Sequence, residues 1–311
     1  MFIAPCLSAS ACVRIPHNAS LVEFPTRAKG LDAVIFPEEF PKPCDVYELY
    51  GDEGCGKSEI LLHLVVRSVV PTEWKGVKLN GLGIGVIFID TDYKFCMLRL
   101  SSILESYIGK SLTTNDQDVQ LSKDLEDIVK ASLKNFWLVR CSSSEQLLMT
   151  IHSLDSFIGY KFDVSILMLD SVSSFYWIDK LKCGDNRKML EQSHARLVAS
   201  LEKLVNTYNL VLFATKSAII RKRVENLGSV SPASPSFSMV QHRSTLTDHF
   251  ELLSNVWTKF VKYRWLLSVS DQNEVSSNES GNRRLSFTDK VNTLGLKYFR
   301  ICQNGVNFTD V

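Results

Sequence analysis

The chain has 311 residues, 45% of them apolar and 22% charged, with 35 basic against 34 acidic side chains. Apolar content of that size excludes a disordered or fibrous chain, and a net charge of +1 excludes a global field for nucleic acid, so any attraction for phosphate is local. Eight cysteines without a C-x-x-C pair or zinc-ligand spacing favour free thiols in a reducing compartment, and no apolar run reaches the ~20 residues that span a bilayer.

Residues 1–45 hold Pro5, Pro16, Pro25, Pro37, Pro41 and Pro43 without a sustained period and read as a flexible leader and linker. Residues 1–22 contain no acid and carry Arg14; a disordered start is expected, with a weak organellar transit peptide as the alternative. From residue 46 the chain reads as one domain to residue 311. Val46–Tyr50 alternates like a strand, Gly51 breaks it, and Ile60, Leu61, Leu64 and Val65 give helical spacing over 57–70. Gly81–Gly85 is a turn, and Val86–Ile89 is an apolar strand closing on Asp90-Thr91-Asp92. Leu100, Ile103, Leu104 and Tyr107 mark a second helix; a polar stretch at 111–122 separates it from a short helix near 125–133. Phe136–Val139 is a strand, and Ser142 with Glu145 suggests a capping box for the helix running to Phe157. Ile166–Leu169 forms a third fully apolar strand ending at Asp170, a long helix covers 190–208, and Leu210–Ala214 is the fourth such apolar strand.

Short apolar runs alternating with amphipathic helices imply an α/β fold: a mostly parallel sheet with helices on both faces. Beyond it, residues 216–247 read as loop, Val256–Val269 as strand and 270–284 as disordered. Tyr298–Ile301 and Val306–Phe308 around Asn304-Gly305 predict a C-terminal β-hairpin.

The chemistry is concentrated in Gly51-Asp52-Glu53-Gly54-Cys55-Gly56-Lys57-Ser58, a full match to G-x-x-x-x-G-K-[ST] between a strand and a helix. Glycines let backbone N–H groups turn toward phosphate oxygens at a helix N-terminus, Lys57 bridges the terminal phosphates, and the Ser58 hydroxyl ligates Mg²⁺. Asp170, at the end of an apolar strand, is the expected Mg²⁺ partner through water. Asp92 is the candidate base for orienting a water molecule, weighed evenly against a turn or cap residue. His63 reads as a packing residue, and Cys55 as a thiol whose pKa a helix N-terminus would lower.

Gly51–Ser58, Val86–Tyr93, Leu167–Ser171 with Phe175–Asp179, and Leu201–Asn206 leading to Leu212–Thr215 resemble the RecA-type recombinases and their paralogues over most of residues 46–217. The resemblance implies a RecA-like P-loop NTPase core that binds ATP and Mg²⁺. It also implies a nuclear subunit that assembles with other recombinase paralogues, contacts single-stranded or branched DNA, and supports homologous-recombination repair. No membrane partner is expected.

Departures from the family pattern shape the expected activity. Active members carry Glu where this chain has Asp92, one methylene shorter, and Asn-Gln where it has Lys216-Ser217. A catalytic group misplaced by ~1 Å loses ~100-fold in rate, so weak or absent hydrolysis is expected. No Phe-x-x-Ala hook precedes Gly51, and self-filaments are not expected. The alternatives are an active DNA-dependent ATPase performing strand exchange and, less favoured, a GTPase or small-molecule kinase. The family's DNA-facing loops correspond to residues 177–196, with Lys180, Lys182, Arg187 and Lys188, and 216–243, with Arg221, Lys222 and Arg223. Phe175, Tyr176 and Trp177 read as core or partner-facing aromatics rather than base-stacking ones.

Overall fold

A computed structural model describes residues 31–32, 35–36, 41–112, 121–161, 163–184, 186–222, 247–250, 252–269, 282–289 and 293–309. Strand β1 (Val46–Gly51) passes through the glycine turn into helix α1 (Lys57–Val69). A small hairpin of β2 (Glu73–Trp74) and β3 (Val77–Lys78) precedes β4 (Gly85–Asp90). Helices α2 (Met97–Leu112) and α3 (Leu121–Leu133) follow, then β5 (Phe136–Arg140), α4 (Ser144–Tyr160) and β6 (Val164–Asp170). Next come α5 (Tyr176–Cys183), α6 (Arg187–Tyr208) and β7 (Val211–Ser217). Strands β8 (Ile219–Lys222) and β9 (Thr247–Phe250) pair antiparallel with each other, and α7 (Asn255–Phe260) leads to β10 (Tyr263–Val269). The described chain closes with β11 (Asn282–Asp289), β12 (Thr293–Cys302) and β13 (Gly305–Thr309).

The main sheet runs β13-β12-β11-β10-β1-β7-β6-β4-β5. From β10 to β5 neighbouring strands are parallel; from β10 to β13 they are antiparallel. Alternation along each strand divides two cores. Val86, Phe88, Ile166, Met168, Val211 and Phe213 meet α1, α2 and α3 on one face. Ile87, Ile89, Leu167, Leu169, Leu212 and Ala214 meet α4, α6 and α7 on the other. This two-sided burial explains why the strands read as unbroken apolar runs.

Several expectations change. Leu31, Ile35 and Phe36, within the stretch read as a flexible leader, are buried in the first core. Residues 255–260 form a helix rather than a strand because Trp257 and Val261, one turn apart, both bury against the second core. The cap of α4 is Ser143, which accepts from Gln146 N, while Gln146 Oε1 accepts from Ser142 N. The predicted Ser142–Glu145 box is displaced by one residue. Part of 216–247 is strand, and residues 177–196 are largely helical. Residues 282–284 of the stretch read as disordered belong to β11, while 270–281 lie outside the described residues.

Candidate functional site

The phosphate loop connects β1 to α1 at one end of the parallel strands. Gly51 is required by close backbone approach, since a Cβ there would lie 2.1 Å from Leu267 O of β10. Gly56, at φ 103, occupies the left-handed region; a Cβ there would meet Phe299 Cε2 at 3.0 Å, Ile301 Cδ1 at 3.1 Å and Arg283 Cδ at 3.2 Å. The loop is therefore walled by β10, β11 and β12. Lys57 Nζ lies over the loop, donating to the carbonyls of Gly51 at 2.8 Å and Asp52 at 2.7 Å. Glu53 Oε1 accepts from Lys94 Nζ at 2.8 Å.

Ser58 Oγ donates to Asp170 Oδ2 at 2.6 Å, and Thr215 Oγ1 donates to Asp170 Oδ1. This brings together two predicted residues that lie 112 positions apart in the chain. Burial pushes the Asp170 carboxyl up, the charges of Asp92 and Asp90 add to that, and the two hydroxyls only partly offset it. A divalent cation beside Ser58 would relieve this crowding of carboxylates. Among the described residues no group of three or more His, Cys, Asp or Glu side chains gathers as a protein-only metal site. The donor set fits Mg²⁺, which takes one or two protein groups and completes its shell with water and phosphate.

Asp90 is buried at the end of β4 and accepts from the N–H groups of Lys94 and Phe95 at 3.3 and 3.2 Å, holding the turn that follows. Thr91 Oγ1 accepts from Ser171 N at 2.6 Å and donates to Ser171 O at 2.7 Å, stitching the ends of β4 and β6. Asp92 is exposed beyond this stitch, and its charge reaches both Asp170 and Lys94.

Lys216 is only 1% exposed and pairs with Glu48 Oε1 at 2.7 Å, so it points into the second core. Glu48 also accepts from Trp257 Nε1 at 2.7 Å and from Arg264 Nε at 2.6 Å. Cys55 is corrected too: its thiol is fully buried, and desolvation pushes its pKa up despite Lys57. Of the aromatics, Phe175 and Tyr176 are buried and Trp177 is half-exposed.

The basic residues are dispersed. Lys180 lies over the rings of Trp177 and Tyr176 at 5.1 and 5.9 Å, and Lys182 pairs with Glu145 at 3.1 Å. Arg187 and Lys188 are exposed at the start of α6. A cleft of about 670 Å³ between α4, α5 and α6 is lined by Lys182, Lys188, Tyr176 and His194. Arg221 and Lys222 lie on β8, and Arg223 lies outside the described residues.

Sequence reading missed Thr215, Glu48, Arg264 and Arg283. A hydroxyl at the end of an apolar strand was the one available signal, for Thr215. The other three are brought in by β1, β10 and β11, whose pairing is not written locally.

A family model described as Rad51 matches residues 18–231. The chain is similar to the DNA repair protein XRCC2 of Mus musculus, 35% identical over 281 residues covering 90% of this chain and 91% of that protein. It is 27% identical to the DNA repair protein XRCC2 homolog of Arabidopsis thaliana over 257 residues, 73% of this chain and 69% of that protein. It is 25% identical to the DNA repair protein RAD51 homolog 2 of Homo sapiens over 228 residues, 72% of this chain and 55% of that protein.

Proposed function

The chain belongs to the Rad51 family, and on that premise we propose that it is an ATP-binding subunit of a complex of Rad51-type paralogues, with weak or absent turnover. It is a RecA-like recombination-repair protein. We assign its nucleotide site to Gly51–Ser58, its work to the nucleus and its partners to other paralogues and DNA. We treat residues 46–311 as one domain, with Leu31, Ile35 and Phe36 packed onto it.

The observation that carries this reading is the Ser58–Asp170 hydrogen bond of 2.6 Å below Lys57. It sets a hydroxyl and an acid together at the start of α1, next in the chain to the Lys57 ammonium, where a helix N-terminus favours phosphate. Ser58 and Asp170 would hold a magnesium ion bound with ATP, which would supply positive charge against the terminal phosphates. With ATP bound, Lys57 would give up the Gly51 and Asp52 carbonyls for phosphate oxygens.

Weak turnover follows from two residues. Asp92 stops one methylene short of the glutamate of active members. Lys216, where those members carry a nucleotide-sensing amide, is tied to Glu48 inside the protein. β5 ends the sheet, with one side of its backbone unpaired among the described residues, and such an edge accepts a strand from a partner. No helix among the described residues is long and apolar enough to cross a membrane.

The test is co-expression with Rad51-type paralogues, followed by measurement of assembly and ATP hydrolysis for wild type and Lys57→Ala. Lys57→Ala is expected to weaken assembly and to leave an already low turnover little changed. Fast hydrolysis by the isolated chain, abolished by Asp92→Asn, would instead identify an active DNA-dependent ATPase.

A further inference from the structure

The wall of the phosphate loop contains a cation that belongs to the C-terminal strands. Arg283 on β11 stands in register between Val269 of β10 and Phe299 of β12. Its stem crosses Gly56, with Cδ 3.2 Å from the place a Cβ would take, and its Nε donates to Gly54 O at 3.4 Å. Gly54 has nothing within 4 Å of the direction in which a side chain would project, so the rim of the loop is open beside the guanidinium.

We propose that Arg283 is a second phosphate-binding cation of the nucleotide site, contributed by the C-terminal strands and complementary to Lys57. This rests on the reading of residues 51–58 as an ATP site. The bond to Gly54 is long and its acceptor is a neutral carbonyl. A guanidinium–phosphate bond is charge-assisted and roughly twice as strong as a neutral one, so a polyphosphate in the loop outcompetes Gly54 O for the guanidinium.

The strand beside the one that carries Arg283 is tied to the helices. Arg99 Nη2 donates to Glu59 Oε2 of α1 at 2.8 Å and to Cys302 O of β12 at 2.7 Å. Gly305, at the hairpin, lies so close to α2 that a Cβ would sit 3.0 Å from Ile103 Cγ2. These ties pre-orient β11 and β12 against α1 and α2, so only the arginine side chain has to move. The C-terminal strands thus become part of the nucleotide site rather than a cover for the sheet.

The experiment is equilibrium dialysis of the full chain with ATP and AMP in the presence of Mg²⁺. It compares wild type, Lys57→Ala, Arg283→Met and Arg283→Lys at two salt concentrations. Arg283→Met keeps the apolar stem over Gly56 and removes the charge. It is expected to weaken ATP binding about tenfold, about 1.4 kcal/mol, with a smaller loss for AMP and a shallower salt dependence. Arg283→Lys, which keeps charge but loses the fork, is expected to fall between wild type and Met.

Wild-type ATP affinity in Arg283→Met, with binding lost in Lys57→Ala, would overturn the inference and leave the ATP site standing. An equal loss for ATP and AMP would also overturn it, because that marks a packing role. Binding that ignores Lys57 would remove the site itself, and this inference with it.

Discussion

The residue that most changes the account is Lys216, and Glu48 explains why. Along β1, β7 and β10, alternation places Glu48, Lys216 and Arg264 on the same face as Val46, Leu212 and Ala214. A carboxylate that is 1% exposed survives there because Lys216, Arg264 and Trp257 donate to it. Glu48 is the hub: removing its charge takes the carboxylate from Lys216, Arg264 and Trp257 at once, whereas removing Lys216 leaves Glu48 still bonded to Arg264 and Trp257. Glu48→Gln is therefore expected to cost about 3–5 kcal/mol of unfolding free energy, and Lys216→Met distinctly less, as read from urea midpoints. Equal costs, or a neutral Glu48→Gln, would contradict the hub. None of this was legible in the sequence, where Lys216 reads as the start of a loop and the counterpart of the family's Asn, and Glu48 as one polar residue in an alternating run. The G-x-x-x-x-G-K-[ST] run stands out in the sequence because its eight residues are contiguous.

At the scale of elements, legibility followed the range of the interactions. The apolar strands at 86–89, 136–139, 166–169 and 210–214 were read correctly because each is its own unbroken apolar run, whereas α5 lay in a stretch read as loop. Helix α7 was missed as well, since its identity depends on Trp257 and Val261 reaching a core built by α4 and α6. The turn at Leu31–Phe36 escaped for the same reason. Asp32 Oδ1 accepts from Ile35 N at 3.1 Å, while Oδ2 bonds His63 Nε2 at 2.7 Å, pinning the turn to α1. Burial acts to push the Asp32 carboxyl up, but His63, the Ile35 amide and Arg67 outweigh it and hold the pKa below the usual carboxylate range. A carboxyl lowered on folding stabilises fully above its unfolded pKa of about 3.9, and the contribution disappears as pH falls through the lower folded value. Asp32→Asn is expected to cost about 2 kcal/mol near neutral pH. The gap from wild type should close on acidification below about pH 4. A gap that stays constant down to about pH 2 would show that the charge on Asp32 is irrelevant.

For the whole molecule, the sheet does two jobs at its two ends. At one end β5 leaves an edge among the described residues, where we propose that a partner strand pairs. Near the other, β10, β11 and β12 close around a loop whose glycines are packed too tightly against them to accept a side chain at Gly51 or Gly56. On the function we propose, nucleotide in this loop would be coupled to the C-terminal strands, which would suit a subunit that uses ATP to fix its shape within an assembly more than to drive cycles of hydrolysis. The most direct test is calorimetric titration of the purified chain with ATP and Mg²⁺, alongside Lys57→Ala. One nucleotide bound per chain, with binding lost in the variant, is the predicted result. No binding, or binding that Lys57→Ala leaves unchanged, would contradict the claim on which the account stands.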